Sequence, residues 1–123
     1  MKLAFIGTGK IIADALFAIE PIKEIEKTAI FARPHSKEKA EAFAKQYNIA
    51  EVYTDYEKLL TETAADTVYI GLINSAHYSY AKEALLHRKN VILEKPFTGF
   101  YKEAQELQQI AEENKLFNFA EQR

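Results

Sequence analysis

The fold is decided by residues 2–12, KLAFIGTGKII, in which an apolar run meets two glycines and then the start of a helix. The run from Lys2 to Ile6 is typical of a buried strand, and it ends at Gly7. Apolar residues then recur at helical spacing until Pro21, which stops a helix because proline disrupts the backbone hydrogen bonding. These residues predict a strand, a tight glycine turn and a helix.

The same strand-and-helix unit repeats along the rest of the chain. Further strand candidates are residues 28–32, 52–53, 67–72, 91–93 and 116–119, and stretches of helical apolar spacing separate them. The helix after 67–72 is predicted to have inward residues Tyr78, Ala81, Ala84 and Leu85, and the last helix Ala104, Leu107 and Ala111. Thr54 and Glu57 form a capping-box pattern that predicts the start of a short helix. Short apolar strands that alternate with amphipathic helices predict an α/β fold. We expect a doubly wound parallel sheet of about six strands with helices on both faces.

Length and composition limit the class of protein. A chain of 123 residues fits a single domain, residues 1–123, and 48% hydrophobic with 28% charged residues is an ordinary globular composition. The net charge of -2 gives no general attraction to nucleic acid or anionic lipid, so neither partner is expected. The chain has no cysteine, which excludes disulfides and thiolate metal sites, and its three histidines lack metal-ligand spacing. We expect a cytoplasmic protein without a metal.

The turn Gly7-Thr8-Gly9 lies at the first strand-to-helix connection. Glycine there permits a tight turn and lets the backbone approach a pyrophosphate at the amino end of the helix. The third glycine of the usual dinucleotide fingerprint would fall at position 12, which is Ile12, so the fingerprint is incomplete. Two glycines can also serve only to turn the chain, but their placement in an alternating chain favours dinucleotide binding.

The end of the second strand indicates which dinucleotide is preferred. An acidic residue is usual there when a ribose 2′-hydroxyl is bound, whereas a 2′-phosphate needs positive charge. The sequence instead has Arg33, followed by Ser36 and Lys37 as further donors. This predicts NADP in preference to NAD. For Lys37 alone, a solvated surface charge is the favoured interpretation.

Two further segments follow strands at the ligand-binding edge of the predicted sheet. Asn74 and His77 follow the fourth strand, where they are placed to line a cofactor. Glu94 and Lys95 follow the fifth strand, and Pro96 favours an extended backbone at Lys95. A lysine there can transfer a proton or polarise a substrate hydroxyl, although a lone Glu-Lys pair is more often surface charge.

These segments together resemble the amino-terminal half of Gfo/Idh/MocA oxidoreductases, in order and in spacing, over nearly the whole chain. The resemblance rests on residues 5–11, 31–33, 74–78 and 94–98, of which Glu94-Lys95-Pro96 is the most specific. It implies a Rossmann NAD(P)-binding fold. The sequence departs from the family pattern at three positions. Ile73 stands where proline is usual, Arg88 where a helix-ending glycine is common, and Asn90 where histidine is frequent.

The resemblance also implies roles for individual residues. It places Arg33 at the adenosine end and Lys95 in hydride-transfer chemistry on a sugar or polyol hydroxyl. The residues that it places around the pyrophosphate are Gly7, Thr8, Gly9 and Ile11. Asn74 and His77 would line the cofactor, and Glu94 would orient the site. The full set of implied cofactor-binding residues is Gly7, Thr8, Gly9, Lys10, Ile11, Arg33, Lys37, Asn74, His77, Glu94 and Lys95, with Lys95 catalytic.

The family's substrate domain is expected to be absent, because the sequence stops at Arg123 after a segment that resembles the sixth strand. Hydride transfer needs both reactants held in a near-attack geometry, so the chain is expected to be inactive alone. An exposed docking face favours self-association into a homo-oligomer. The alternative is a non-enzymatic dinucleotide-binding module, a redox sensor or a subunit completed by another chain.

Overall fold

The computed structural model describes residues 1–72, 74–93, 109–110 and 118–120. Apolar runs that were predicted as strands form strands, and the stretches of helical spacing among the first five strands form helices. In chain order the elements are β1 (Lys2–Ile6), α1 (Lys10–Ile19), β2 (Glu26–Phe31), a 3₁₀ turn (Pro34–Ser36), α2 (Lys37–Tyr47), β3 (Glu51–Tyr53), α3 (Tyr56–Glu62), β4 (Thr67–Ile70), α4 (Asn74–Leu86), β5 (Asn90–Leu93) and β6 (Asn118–Ala120).

The six strands form one parallel sheet in the order β3-β2-β1-β4-β5-β6. The chain winds outward from β1 to β3 and then crosses back to place β4 on the other side of β1. The winding direction therefore reverses between β1 and β4, and open α/β sheets bind ligands at the carboxyl ends of the strands at this point. The predicted doubly wound sheet is confirmed.

The two faces of the sheet are covered by different helices. Leu3 and Phe5 of β1 pack with the buried residues of α1 and α2, whereas Ala4 and Ile6 pack with those of α3 and α4. This alternation follows from the two-residue period of a strand, which sends successive side chains to opposite faces. Helices therefore lie on both faces, as the sequence predicted. Within the ranges given above, no helix is long and apolar enough to span a membrane.

Helices α2 and α4 end in the same way, with a left-handed residue. Asn48 (φ 58°) follows α2, and Arg88 (φ 63°) follows α4. After α4 the Arg88 N–H donates to the carbonyl oxygen of Leu85 (2.9 Å), and the Lys89 N–H donates to that of Ala84 (2.9 Å). This is the Schellman pattern, whose left-handed position usually holds glycine. Arg88 therefore adopts the conformation that glycine would adopt there most easily.

The start of α3 differs from the prediction. The N-cap is Asp55, whose carboxylate accepts a hydrogen bond from the Lys58 N–H at 3.1 Å. The capping box predicted from Thr54 and Glu57 is wrong by one residue, because the helix begins at Tyr56 and its third N–H belongs to Lys58. A later helix predicted from Ala104, Leu107 and Ala111 lies outside the described residues, apart from the helical pair 109–110.

An aromatic cluster ties α3 and α4 to the sheet. The rings of Phe31, Tyr56 and Tyr80 pack with centroid separations of 4.5–5.8 Å. The Tyr56 hydroxyl donates to the carbonyl oxygen of Tyr80 at 2.8 Å. Burial of this hydroxyl, with a smaller contribution from Tyr80, raises the pKa of Tyr56 well above its ordinary value. The cluster lies beneath β2, the strand that carries Arg33 just beyond its carboxyl end.

Candidate functional site

A cavity of about 200 Å³ lies where the winding of the sheet reverses. It is formed by the residues that follow the carboxyl ends of β1, β2 and β4. Its position matches the ligand-binding crevice of open α/β sheets. The residues that line it are Gly7, Thr8, Gly9, Ala32, Arg33, His35, Ser36, Gly71 and Leu72.

Gly7 is required by the backbone of the turn. Its φ of 122° is one that residues with a Cβ rarely adopt. Its N–H donates to the carbonyl oxygen of Phe31 at 2.9 Å, which holds the turn against the end of β2. A Cβ at this position would also lie 3.0 Å from the carbonyl oxygen of Gly71. Gly7 is therefore explained by the fold alone.

Gly9 has no such structural reason. Its backbone is extended (φ -84°, ψ -168°), a conformation open to any residue, and a Cβ placed there would meet nothing within 4 Å. Neither conformation nor packing in the free chain requires a glycine here. Gly9 is the N-cap of α1, and the space where its Cβ would lie is open. These are the features that close approach of a pyrophosphate requires, so the residues fit a dinucleotide.

The amino end of α1 is open to an anion. Gly9 is the N-cap and offers no side-chain hydrogen bond, and the described first turn of α1 contains no acidic residue. By contrast, the Asp55 carboxylate caps α3. The first N–H groups of a helix have no partner within the helix and carry partial positive charge. The N-cap side chain does not bind these groups in α1, and a phosphate would suit them.

The side of the cavity next to the end of β2 is lined by polar and cationic side chains. Arg33 follows β2 in extended conformation, and the 3₁₀ turn then brings His35 and Ser36 to the same cavity. Ser36 is the N-cap of α2, but its side chain makes no capping hydrogen bond. Among the described residues that line the cavity there is no carboxylate. This set offers a guanidinium, an imidazole and a hydroxyl to an anionic group.

Three residues predicted to bind the cofactor lie beside the cavity rather than in its lining. The Lys10 ammonium pairs with the Asp14 carboxylate at 2.7 Å, and the Lys10 side chain is 86% exposed. Ile11 packs toward Gly71, where its Cγ2 lies 3.2 Å from a Cβ built on that glycine. Lys37 lines a separate depression beyond β3, together with Glu41 and Lys58.

The remaining predicted residues were expected on the nicotinamide side. Asn74 and His77 lie in the first turn of α4, which starts just after the carboxyl end of β4. This backbone position agrees with the one expected from the sequence. Glu94 and Lys95 follow β5, and both lie outside the described residues. The structure thus brings Gly7, Thr8, Gly9 and Arg33 together around one cavity.

Sequence reasoning missed Gly71, which lines the cavity from the end of β4. It was included in a predicted strand of residues 67–72, but β4 ends at Ile70, and the Gly71 N–H adds one more bond, to the carbonyl oxygen of Ile6 (3.0 Å). A glycine within an apparent strand indicates close approach by another part of the chain, and this was the available signal. Ala32 and Leu72, which also line the cavity, carry no comparable signal.

The family model that matches the chain is that of the GFO_IDH_MocA oxidoreductase family, described as an NAD-binding Rossmann fold, and the match covers residues 1–121. The chain belongs to this family. It is the NAD(P)-binding Rossmann domain of a Gfo/Idh/MocA oxidoreductase. The resemblance found in the motifs of the sequence is thereby confirmed, and the cavity beside the glycine turn lies where the fold places its cofactor.

Curated relatives of this Gfo/Idh/MocA domain are longer proteins. A scyllo-inositol 2-dehydrogenase (NADP(+)) from Bacillus subtilis is 32% identical over 93% of the chain, which spans 34% of that protein. A trans-1,2-dihydrobenzene-1,2-diol dehydrogenase from Xenopus tropicalis is 28% identical over 94% of the chain and 35% of that protein. The chain thus spans about a third of the length of the relatives it matches.

Solved structures share the fold. A 3-ketoreductase from Actinomadura kijaniata, in complex with TDP-benzene and NADP, matches with a TM-score of 0.89 and 30% identity, over 98% of this chain and 37% of that one. A scyllo-inositol dehydrogenase from Lactobacillus casei, with bound NAD(H) and scyllo-inositol, matches with a TM-score of 0.83 and 21% identity, over 97% of this chain and 35% of that one. The second likeness concerns the fold alone.

Proposed function

We propose that this domain prefers NADP over NAD and serves an oxidoreductase that acts on a sugar or polyol hydroxyl. Arg33 is the observation that carries the cofactor preference. It lies at the end of β2 and lines the cavity, at the position where NAD-binding Rossmann domains usually carry an acidic residue. A guanidinium there can form two parallel hydrogen bonds with the 2′-phosphate of NADP.

The surroundings of Arg33 support the same preference. His35 and Ser36 line the cavity beside it and add donors for phosphate oxygens. A 2′-phosphate carries negative charge that a nearby carboxylate would repel, and no carboxylate lines the described part of this cavity. The B. subtilis relative, a scyllo-inositol 2-dehydrogenase, is named with NADP(+), and the A. kijaniata ketoreductase was solved with NADP.

The catalytic roles are proposed from the family resemblance. The bound nicotinamide would supply the group that accepts or donates hydride. Lys95 would take the proton of the substrate hydroxyl or polarise it, and Glu94 would orient that lysine. Asn74 and His77, in the first turn of α4, would line the cofactor. The polyol and dihydrodiol substrates in the names of the relatives support a hydroxyl as the reacting group.

The proposed activity depends on protein beyond the Rossmann fold. The relatives are about three times as long as this chain. About two thirds of their length, which this chain does not match, is therefore available to form a substrate pocket. We propose that the domain of residues 1–123 acts together with a substrate-binding part of that kind. Self-association into a homo-oligomer and a cytoplasmic location stay predictions, to be tested by analytical ultracentrifugation and by cell fractionation.

The cofactor preference is tested by titrating the wild-type chain and Arg33→Ala with NADPH and with NADH, using calorimetry. We expect Arg33→Ala to weaken NADPH binding by about tenfold or more, because a charge-assisted pair is lost, and to change NADH binding much less. Lys39→Ala, which removes an exposed cation from α2, is the matched control and should bind both cofactors as the wild type does. Equal losses for NADPH and NADH in Arg33→Ala would contradict the role given to the 2′-phosphate.

A further inference from the structure

We propose that Gly71 is a positioning residue for the dinucleotide. In the usual fingerprint the third glycine, at position 12 here, allows the first helix to pack closely against the sheet. This chain has Ile12 at that position, and Ile12 is fully buried. We infer that the space is supplied from the opposite side of the contact, by Gly71 at the end of β4. The inference rests on dinucleotide binding at the cavity, and it holds for NAD and NADP alike.

The contact between Gly71 and α1 leaves no room for a side chain. A Cβ built on Gly71 would lie 2.6 Å from the Cδ1 and 2.8 Å from the Cγ1 of Ile12, and 3.2 Å from the Cγ2 of Ile11. Separations below 3.0 Å force an adjustment. Ile12 has little freedom to give way, because it is fully buried and β-branched, and such side chains strongly prefer one χ1 rotamer in a helix.

The backbone at Gly71 is also held in place. Its N–H donates to the carbonyl oxygen of Ile6 at 3.0 Å, and its own carbonyl oxygen would lie 3.0 Å from a Cβ on Gly7. The Gly7 N–H in turn donates a hydrogen bond to the carbonyl oxygen of Phe31 in β2. The ends of β1, β2 and β4 are thus linked, and Gly71 cannot retreat from α1 without breaking a hydrogen bond. An added methyl group would therefore displace α1.

A displaced α1 would disturb the phosphate site. Gly9 and the unpaired N–H groups of the first turn belong to the amino end of this helix, and Ile12 lies one turn further along. Hydrogen bonds to a pyrophosphate require donors at defined positions, so a small shift of the helix weakens them. The effect should be the same for both cofactors, because both carry the same pyrophosphate.

The test compares Gly71→Ala, Ile12→Ala and the double variant in the full 123-residue chain. Calorimetric titrations with NADPH and NADH give the affinities, and circular dichroism verifies the fold. We expect Gly71→Ala to weaken both cofactors by about tenfold or more. Adding Ile12→Ala should restore both to within about threefold of the wild type, because alanine at position 12 removes the atoms that clash. Leu59→Ala, which truncates a buried residue of α3, controls for lost stability and should not change affinity.

Three outcomes would overturn the inference. Wild-type affinity in Gly71→Ala would show that α1 adapts without affecting the site. A loss that Ile12→Ala does not restore, including a failure of both Gly71 variants to fold, would show that Gly71 acts by another route. Failure of the wild-type chain to bind either dinucleotide would overturn the inference together with the proposed function. If the wild type binds, either of the first two outcomes would overturn the inference about Gly71 alone.

Discussion

The carbonyl oxygen of Gly71 lies 3.0 Å from the position that a Cβ on Gly7 would occupy. The ends of β1 and β4 therefore meet closely at the point where the winding of the sheet reverses. Gly9, two residues further along, has open space where its Cβ would be. The two glycines of one turn thus differ, since Gly7 is required by the fold, whereas we propose that Gly9 is required by the bound dinucleotide.

This difference predicts opposite effects of alanine at the two positions. Gly9→Ala should change the free energy of unfolding by no more than about 0.5 kcal/mol, because the residue is extended and unobstructed. It should weaken NADPH binding by about tenfold or more, because the methyl group fills the space of the pyrophosphate. Gly7→Ala should destabilise the chain by about 1–3 kcal/mol, because φ is 122° and Gly71 is close.

Urea denaturation and calorimetric titration of the same preparations measure both effects. Each variant serves as the control for the other, because each adds one methyl group to the same turn. Unchanged NADPH affinity in Gly9→Ala would contradict the placement of the pyrophosphate. Equal destabilisation by the two variants would contradict the structural distinction between them.

The end of α4 predicts a stabilising substitution. Arg88→Gly should raise the free energy of unfolding by about 0.5–1 kcal/mol, because Arg88 occupies a left-handed position with φ 63° that glycine adopts without steric cost. Asn48→Gly, at the matching position after α2, should gain less, because asparagine tolerates this conformation better than most residues. Urea denaturation measures both. A destabilising Arg88→Gly would show that contacts of the arginine side chain outweigh its backbone strain.

The cap of α3 predicts a contrast between neighbouring residues. Asp55→Ala should lower the free energy of unfolding by about 1 kcal/mol, because its carboxylate accepts the Lys58 N–H. Thr54 precedes the cap, so Thr54→Ala should lower the free energy of unfolding less than Asp55→Ala does. Thermal denaturation followed by circular dichroism compares the two. A larger loss of stability from Thr54→Ala than from Asp55→Ala would support the capping box predicted from the sequence and contradict the cap at Asp55.

The buried hydroxyl of Tyr56 predicts a loss of stability at alkaline pH. The pKa of Tyr56 is raised above its ordinary value of 10.0 by burial, so above pH 10 the unfolded chain releases this proton while the folded chain keeps it. This group's contribution is therefore fully present below pH 10 and is lost at about 1.4 kcal/mol per pH unit above it.

Urea denaturation of the wild type and Tyr56→Phe between pH 8 and about pH 11 tests this. At pH 8 the variant should be less stable by about 1 kcal/mol, because the hydrogen bond to Tyr80 is lost. Its stability should then fall less steeply, so that the two curves converge above pH 10. An equally steep fall in both proteins would assign the alkaline transition to other groups.

Most of the fold could be predicted because its strands and helices follow from local patterns of apolar residues. Apolar periodicity located β1, α1 and the inward residues Ala81, Ala84 and Leu85 of α4, and these three residues are fully buried as expected. The cap of α3 was misplaced because Thr54 and Asp55 are both capping residues, and sequence alone did not show which one starts the helix. Such one-residue errors at helix ends are the usual limit of pattern reasoning.

The candidate site was predicted where it depends on the glycine turn and on Arg33. It was missed where it depends on contacts between distant parts of the chain. The pairing of Gly71 with Ile12 spans two elements, and nothing near Ile12 in the sequence shows which strand end it meets. Lys10 was assigned to the cofactor from its neighbours in the motif, whereas in the free structure it pairs with Asp14 one turn along α1.

We propose that this chain holds a working dinucleotide site that prefers NADP. The most direct test is calorimetric titration of the wild-type chain with NADPH and, in the same buffer, with NADH. We expect saturable binding of both, with NADPH bound about tenfold or more tightly because Arg33 would pair with the 2′-phosphate. Absence of binding for both, or tighter binding of NADH, would contradict it.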